Sequence, residues 1–181
     1  MHIIGISGKI GAGKSTIARN IVGDSIWDVV LPFAKKLKED IISMGFAPEE
    51  VYTQKTPAMR ALLQTYGVAR RAQDSAHWIK QWQKALVDHS SARYIIVDDV
   101  RFANEYRFLR DIGAYLIRLE RDYGRPINEN INEHISETEL DNEVNWDEHH
   151  IIKDGDLDRL RTIAEEAKVR ASMTYAARKF L

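Results

Sequence analysis

With 181 residues, 44% of them hydrophobic, the chain can bury one sizeable core, so a single domain with a small appendage is expected. Its 26 basic and 27 acidic residues leave a net charge of −1, which argues against a dedicated nucleic-acid surface. It has no cysteine for a disulfide or thiolate metal site, no apolar run near the ~18 residues of a membrane crossing, and no basic-then-apolar leader, so a cytoplasmic protein is expected.

The first element is the run MHIIGIS, whose Ile3, Ile4 and Ile6 suit a strand buried on both faces. It leads into GKIGAGKST, residues 8–16, and then into STIARNIV, where Ile17, Ile21 and Val22 recur at helical spacing. Gly8, Gly13, Lys14 and Ser15 fit G-x-x-x-x-G-K-[ST], the Walker A pattern, in register between a strand and a helix. Glycines let successive N–H groups converge on one anion, and the helix start adds its positive dipole end. The expected nucleotide-binding set is Gly8, Gly11, Ala12, Gly13, Lys14, Ser15 and Thr16. Lys14 would reach the β- and γ-phosphates of a nucleoside triphosphate, and the Ser15 hydroxyl would bind Mg²⁺.

Next come a short apolar strand, WDVVLPF (27–33), and a helix from Ala34 to Met44. The stretch 48–90 reads as wholly helical, with Gly67 a break in the pattern. RYIIVDDV (93–100) is a second buried strand, followed by a helix in RFANEYRFLRDIG with Gly113 at its C-terminal cap. AYLIRLERD (114–122) is a strand, YGRPINENINEH a polar loop, and SETEL a short helix with Ser136 and Glu139 at capping-box spacing. HHIIKD (149–154) is the last strand, and a long C-terminal helix closes the chain. Five strands alternating with helices predict a parallel α/β sheet, with ligands at the carboxyl ends of its strands.

That rule singles out IIVDDVR, where Asp98, Asp99 and Arg101 stand where a strand runs out. An acidic residue there commonly orders Mg²⁺, and Asp98 is preferred for that role over Asp99; the other reading is that one of them caps the next helix. RLERDYGR supplies Arg118, Arg121 and Arg125, with Arg121 and Arg125 flanking a hinged loop that could close on a transferring phosphoryl group. Surface pairing with Glu120, Asp122 and Glu129 is the alternative for these arginines. Within the helical stretch, Gln64, Arg70 and Arg71 with an aromatic such as Trp78 could meet a phosphate-bearing acceptor and its base, although Trp78 and Trp82 also read as a small core. The six histidines lack metal-site spacing, so a zinc site is not expected.

A guanine-reading N-K-x-D string and an L-S-G-G-Q string are both missing, which argues against a regulatory GTPase and a transporter ATPase. A glycine loop, a helical insert after the second strand and an arginine loop before the last one fit a small-molecule kinase, the two additions serving as covers that exclude water. Beyond this, the order GKIGAGKST, LLQTYGVARR…DSAHW, YIIVDDVRFANEYRFLRDIGAYLIRLERD and EHISETELDN resembles the phage-type deoxynucleoside monophosphate kinases, from Ile3 to about Asn142. The DVRFANE stretch and the H-x-S-E at His134, Ser136 and Glu137 are its most telling parts, and animal phosphomevalonate kinases share the same elements.

The resemblance implies the P-loop fold of nucleoside monophosphate kinases, one domain over 1–181 with an acceptor-binding insert at about 34–90 and a lid at about 121–136. It implies ATP as donor, Mg²⁺, and a deoxynucleoside monophosphate as acceptor. It gives Arg101 a grip on the acceptor, places Gln64 and Arg70 at the acceptor site, and puts His134 and Glu137 near the acceptor or lid, where capping is an equal explanation. Homodimers are usual in such a family, and a phage-encoded member would work in the host cytoplasm. A kinase of phosphomevalonate or dephospho-coenzyme A, or a nucleotide switch without transferase activity, remains as an alternative.

Overall fold

The computed structural model describes residues 1–123 and 134–179. It divides into two compact units, one of Met1–Leu31 with Ser90–Leu181 and the other of Pro32–His89. The first unit is built on a five-stranded parallel sheet of β1 (His2–Ser7), β2 (Asp28–Val30), β3 (Tyr94–Val100), β4 (Tyr115–Asp122) and β5 (Glu148–Lys153), in the order β2-β3-β1-β4-β5. β1 is therefore central, and its Ile4 and Ile6 are fully buried. Expected over 27–33, β2 is shorter. Leu31 still donates its N–H to the Ile96 carbonyl at 2.8 Å, but Pro32 has no N–H to give, and pairing ends there.

Helix α1 (Lys14–Val22) and the long α8 (Leu157–Lys179) pack on one another and on the sheet. Ile17, Ala18 and Ile21 of α1 share a core with Leu160, Ile163, Ala164, Ala167 and Ala171 of α8 and with Ile4, Ile6, Ile96, Ile117 and Leu119 of the sheet. Helix α6 (Ala103–Asp111) contributes buried Tyr106 and Leu109, and the chain turns at Gly113 with φ +79°. The short α7 (Ile135–Thr138) does not begin with the capping box expected at Ser136. Its cap is His134, whose Nδ1 accepts the Ser136 N–H at 3.2 Å, while Glu139 turns to a different helix.

The second unit holds α2 (Lys35–Ser43), α3 (Pro48–Tyr52), α4 (Pro57–Gln73) and α5 (His77–Val87), so the stretch read as wholly helical is broken twice. Thr56 caps α4 by accepting the Met59 N–H at 3.2 Å, with Pro57 at the first helical position. Gly67 is no break: it lies buried inside α4, where a Cβ would come within 3.0 Å of Leu37 Cδ1, and its carbonyl accepts the Trp78 indole N–H at 3.2 Å. Ile41, Val51 and Met59 form a small core there, with Leu62, Leu63 and Tyr66 against it.

Candidate active site

The glycine loop runs from the end of β1 into α1. Gly8 holds φ +146°, and a Cβ on it would stand 2.3 Å from the Leu119 carbonyl oxygen of β4, so no larger residue fits. Gly13, at φ +94°, is the N-cap of α1 and lies under the Leu160 side chain, 3.0 Å from where its Cβ would be. Lys14 is only 8% exposed. Its ammonium donates to the Gly8 carbonyl at 2.5 Å and the Lys9 carbonyl at 2.7 Å. Burial pushes its pKa down to about 7, helped by the Arg101 charge and opposed by Asp98 and Asp99.

Ser15 donates its hydroxyl to Asp98 Oδ2 at 2.7 Å, across 83 residues of sequence. A register shift brings them together. Between the pairs Gly5↔Val97 and Ser7↔Val100, β3 carries one residue more than β1, and Asp98 and Asp99 fall in that interval. The shift suspends strict alternation, so two consecutive carboxylates are both half-buried at the sheet's carboxyl edge. The N-cap position of α6 falls to Phe102 rather than to Asp98, and Glu105 Oε2 accepts the N–H groups of Arg101 and Phe102 at 3.0 and 3.1 Å.

The arginines gather on the same edge of the first unit. Arg101 pairs with Glu137, whose other oxygen accepts the Ile10 N–H of the glycine loop at 2.7 Å. Arg118 is buried and donates to Ser7 Oγ at 3.1 Å and Asp141 Oδ1 at 2.6 Å. Arg121 donates to the Gly11 carbonyl at 2.7 Å, pairs with Asp154, and lies 5.3 Å from the centre of the Tyr123 ring. Arg125 lies outside the described residues, as does most of the span read as a lid. Lys14, Ser15, Asp98, Arg101, Arg121 and Glu137 thus come together around one loop, with His134 a helix cap beside them.

Gln64, Arg70 and Trp78 belong to the second unit. Gln64 is exposed on α4. Arg70 donates Nε and Nη2 to the Tyr66 hydroxyl at 3.1 and 3.0 Å, and that hydroxyl donates to Asp40 at 3.1 Å. Trp78 is 1% exposed, so it takes the core alternative, and its ring offers no open face for a base to stack upon.

Sequence reasoning passed over Ser7, Glu105, Asp141 and Asp154, the partners that hold Arg118, the start of α6, and Arg121. Asp154 could have been found, because it directly follows β5 at the edge where ligands bind. Glu105 could have been found as an acid three residues into a helix.

A chemical reading follows from the geometry. A glycine loop at a helix start, a buried lysine, a hydroxyl–carboxylate pair and neighbouring arginines suit a phosphate chain and a hard divalent cation. Comparison with known proteins bears on the class of the chain. Residues 49–163 match a family described as deoxynucleotide monophosphate kinase, a span that begins after the glycine loop. A protein of Acanthamoeba polyphaga mimivirus whose given name includes the words deoxynucleotide monophosphate kinase is 27% identical over 145 residues, covering 67% of this chain and 75% of that protein. A crystal structure described as an unliganded sugar kinase from Janibacter sp. HTCC2649 covers 97% of this chain and 95% of its own at 16% identity, but its TM-score of 0.38 is too low to bear on fold or activity.

Proposed function

This chain belongs to the deoxynucleotide monophosphate kinase family, and from that premise we propose that its glycine loop holds ATP while its arginines bring the acceptor phosphate to the γ-phosphoryl group. The chain is a phosphotransferase, and the match favours a nucleotide acceptor over phosphomevalonate or dephospho-coenzyme A. The observation that carries the reading of the site is the Ser15–Asp98 hydrogen bond of 2.7 Å beside Lys14. It joins a hydroxyl and a carboxylate, two hard oxygen donors, next to a loop whose glycines allow no other residue at Gly8. That donor set suits Mg²⁺, which keeps most of its ligands as water and phosphate oxygens.

In the mechanism we infer, Lys14 leaves the Gly8 and Lys9 carbonyls for the β- and γ-phosphates, and the loop's N–H groups hold the phosphate chain. Ser15 and Asp98 would hold Mg²⁺, which would supply positive charge against the phosphate oxygens. Arg101 holds the acceptor phosphate and Arg121 faces the transferring group, while Arg125 stands as a candidate for the same group on sequence grounds. An acceptor phosphate oxygen forms the new bond to the γ-phosphorus as the bond to the β,γ-bridging oxygen breaks, giving a deoxynucleoside diphosphate and ADP. The attacking oxygen is already an anion at neutral pH, so no general base is required. Gln64 and Arg70 stand as candidates for acceptor contacts on sequence grounds.

The test is a coupled ADP-release assay with ATP and Mg²⁺, offering each of the four common deoxynucleoside monophosphates, the ribonucleotides and no acceptor, with the product identified by chromatography. ADP release that depends on a deoxynucleotide supports the reading and reveals the base preference; release without acceptor, or no release with any, would sink it. Family likeness also supports a homodimer, to be checked by light scattering. Among the described residues no helix is long and apolar enough to cross a membrane, and the viral relative supports action in the cytoplasm of a host cell.

A further inference from the structure

We propose that Glu137 is a positioning residue, a brace tying the donor's glycine loop to the arginine that grips the acceptor phosphate; the idea rests on the kinase reading above. The two carboxylate oxygens have separate partners. Oε2 accepts the Ile10 N–H at 2.7 Å, inside the glycine loop, and Oε1 pairs with Arg101 Nη1 just past the end of β3. With side-chain exposures of 13% for Glu137 and 30% for Arg101, the pair is withdrawn from most of the screening that weakens surface ion pairs.

A direct substrate contact fits this arrangement less well, because both oxygens are engaged within the protein. A brace fits better. The guanidinium of Arg101 carries five N–H donors in a rigid fork, and the carboxylate holds it at Nη1, so that a phosphate can be met by the rest of the fork, which makes no side-chain hydrogen bond among the described residues. Rotamer freedom that an arginine would lose on gripping an anion is then already lost.

The brace is itself anchored, by acidic residues spaced two apart. Glu139 Oε1 accepts the Ala103 N–H at 2.8 Å, at the start of α6. Asp141 takes Arg118 of β4 at 2.6 Å and lies 3.4 Å from Lys9 of the glycine loop. His134 caps the intervening turn through the Ser136 N–H at 3.2 Å. Glu137, Glu139 and Asp141 therefore fasten one short segment to the loop, to α6 and to β4. This accounts for the H-x-S-E string without a ligand.

The experiment compares Glu137→Gln and Glu137→Asp with the wild type. Glutamine offers one carbonyl oxygen where the carboxylate offers two, so it can serve Ile10 or Arg101 but not both. The KM for the deoxynucleotide should rise about ten-fold, as expected for losing one charge-assisted tie, while the KM for ATP stays within about two-fold. Glu137→Asp, which keeps two acceptor oxygens, should recover part of the loss. In an Arg101→Ala background the same glutamine substitution should change the deoxynucleotide KM by less than about two-fold, because its route of action is gone. Effects that add in the double variant, or a loss shared equally by ATP and deoxynucleotide, would overturn the brace. A substrate-free readout separates this from the kinase reading: the Ile10 amide resonance should move in Glu137→Ala, which leaves no acceptor for it, and an unmoved resonance would also overturn the brace. A wild type that phosphorylates no deoxynucleotide would defeat the kinase reading, while the Ile10 resonance would still decide whether the tie exists.

Discussion

Lys14 concentrates the electrostatics of the loop in one side chain. Among the described residues its ammonium donates to two backbone carbonyls, and burial, followed by the Arg101 charge, holds its pKa at about 7 against the pull of Asp98 and Asp99. Lys14→Ala should therefore lower turnover on the order of 10²- to 10³-fold, as removal of a transition-state charge does, with an unchanged circular dichroism spectrum. The shifted pKa also fixes the direction of a pH effect. A phosphate chain prefers the protonated lysine, and above pH 7 the free loop increasingly holds the neutral amine. The Kd for Mg·ATP should therefore rise between about pH 7.5 and 9, by at most ten-fold per pH unit, and the same plot for Lys14→Ala should be flat. Isothermal calorimetry in two buffers of different ionisation heat checks both points, because binding at pH 8 should take up close to one proton.

At the level of elements, the loop between β1 and α1 depends on β4 as well as on its own glycines. A methyl group at Gly8 would collide with a backbone oxygen rather than a movable side chain, at a φ that residues with a Cβ rarely adopt. Gly8→Ala should lower the urea midpoint by the equivalent of roughly 2–4 kcal/mol, whereas Lys14→Ala should leave it close to the wild-type value. Equal midpoints for Gly8→Ala and the wild type would contradict the packing described here. The elements themselves were largely legible in the sequence. Continuous apolar runs mark β1, β3 and β4 because each is buried on both faces, and the glycine spacing marks the loop. The breaks around Thr53–Thr56 and Asp74–Ala76 were written in residues too, since Thr56-Pro57 is a helix start, but strong helical composition on either side masked them. The partners of the arginines were not legible. Arg101–Glu137, Arg118–Asp141 and Arg121–Asp154 span 36, 23 and 33 residues, and each depends on which strands become neighbours. The register shift that sets Asp98 against Ser15 is likewise a property of two strands together, invisible in either one alone.

On the scale of the whole chain, one core supports the glycine loop. Ile163 of α8 is fully buried in the same cluster as Ile17 and Ile21 of α1 and Ile4 and Ile6 of β1. Ile163→Ala should cost about 2–4 kcal/mol in urea unfolding, while the KM for ATP below the transition stays near the wild-type value. A raised KM with an unchanged midpoint would mean that α8 shapes the loop directly. The division of the chain has a longer reach. Lys14, Ser15, Asp98, Arg101 and Arg121 all stand in the first unit, and the second is a single uninterrupted stretch with a small core of its own. Codons for these five residues therefore flank, and never interleave with, those for residues 32–89. A recombination event that exchanged only that internal stretch would leave all five of those residues in place, so that the internal stretch and the unit carrying the glycine loop could vary on separate parts of one gene.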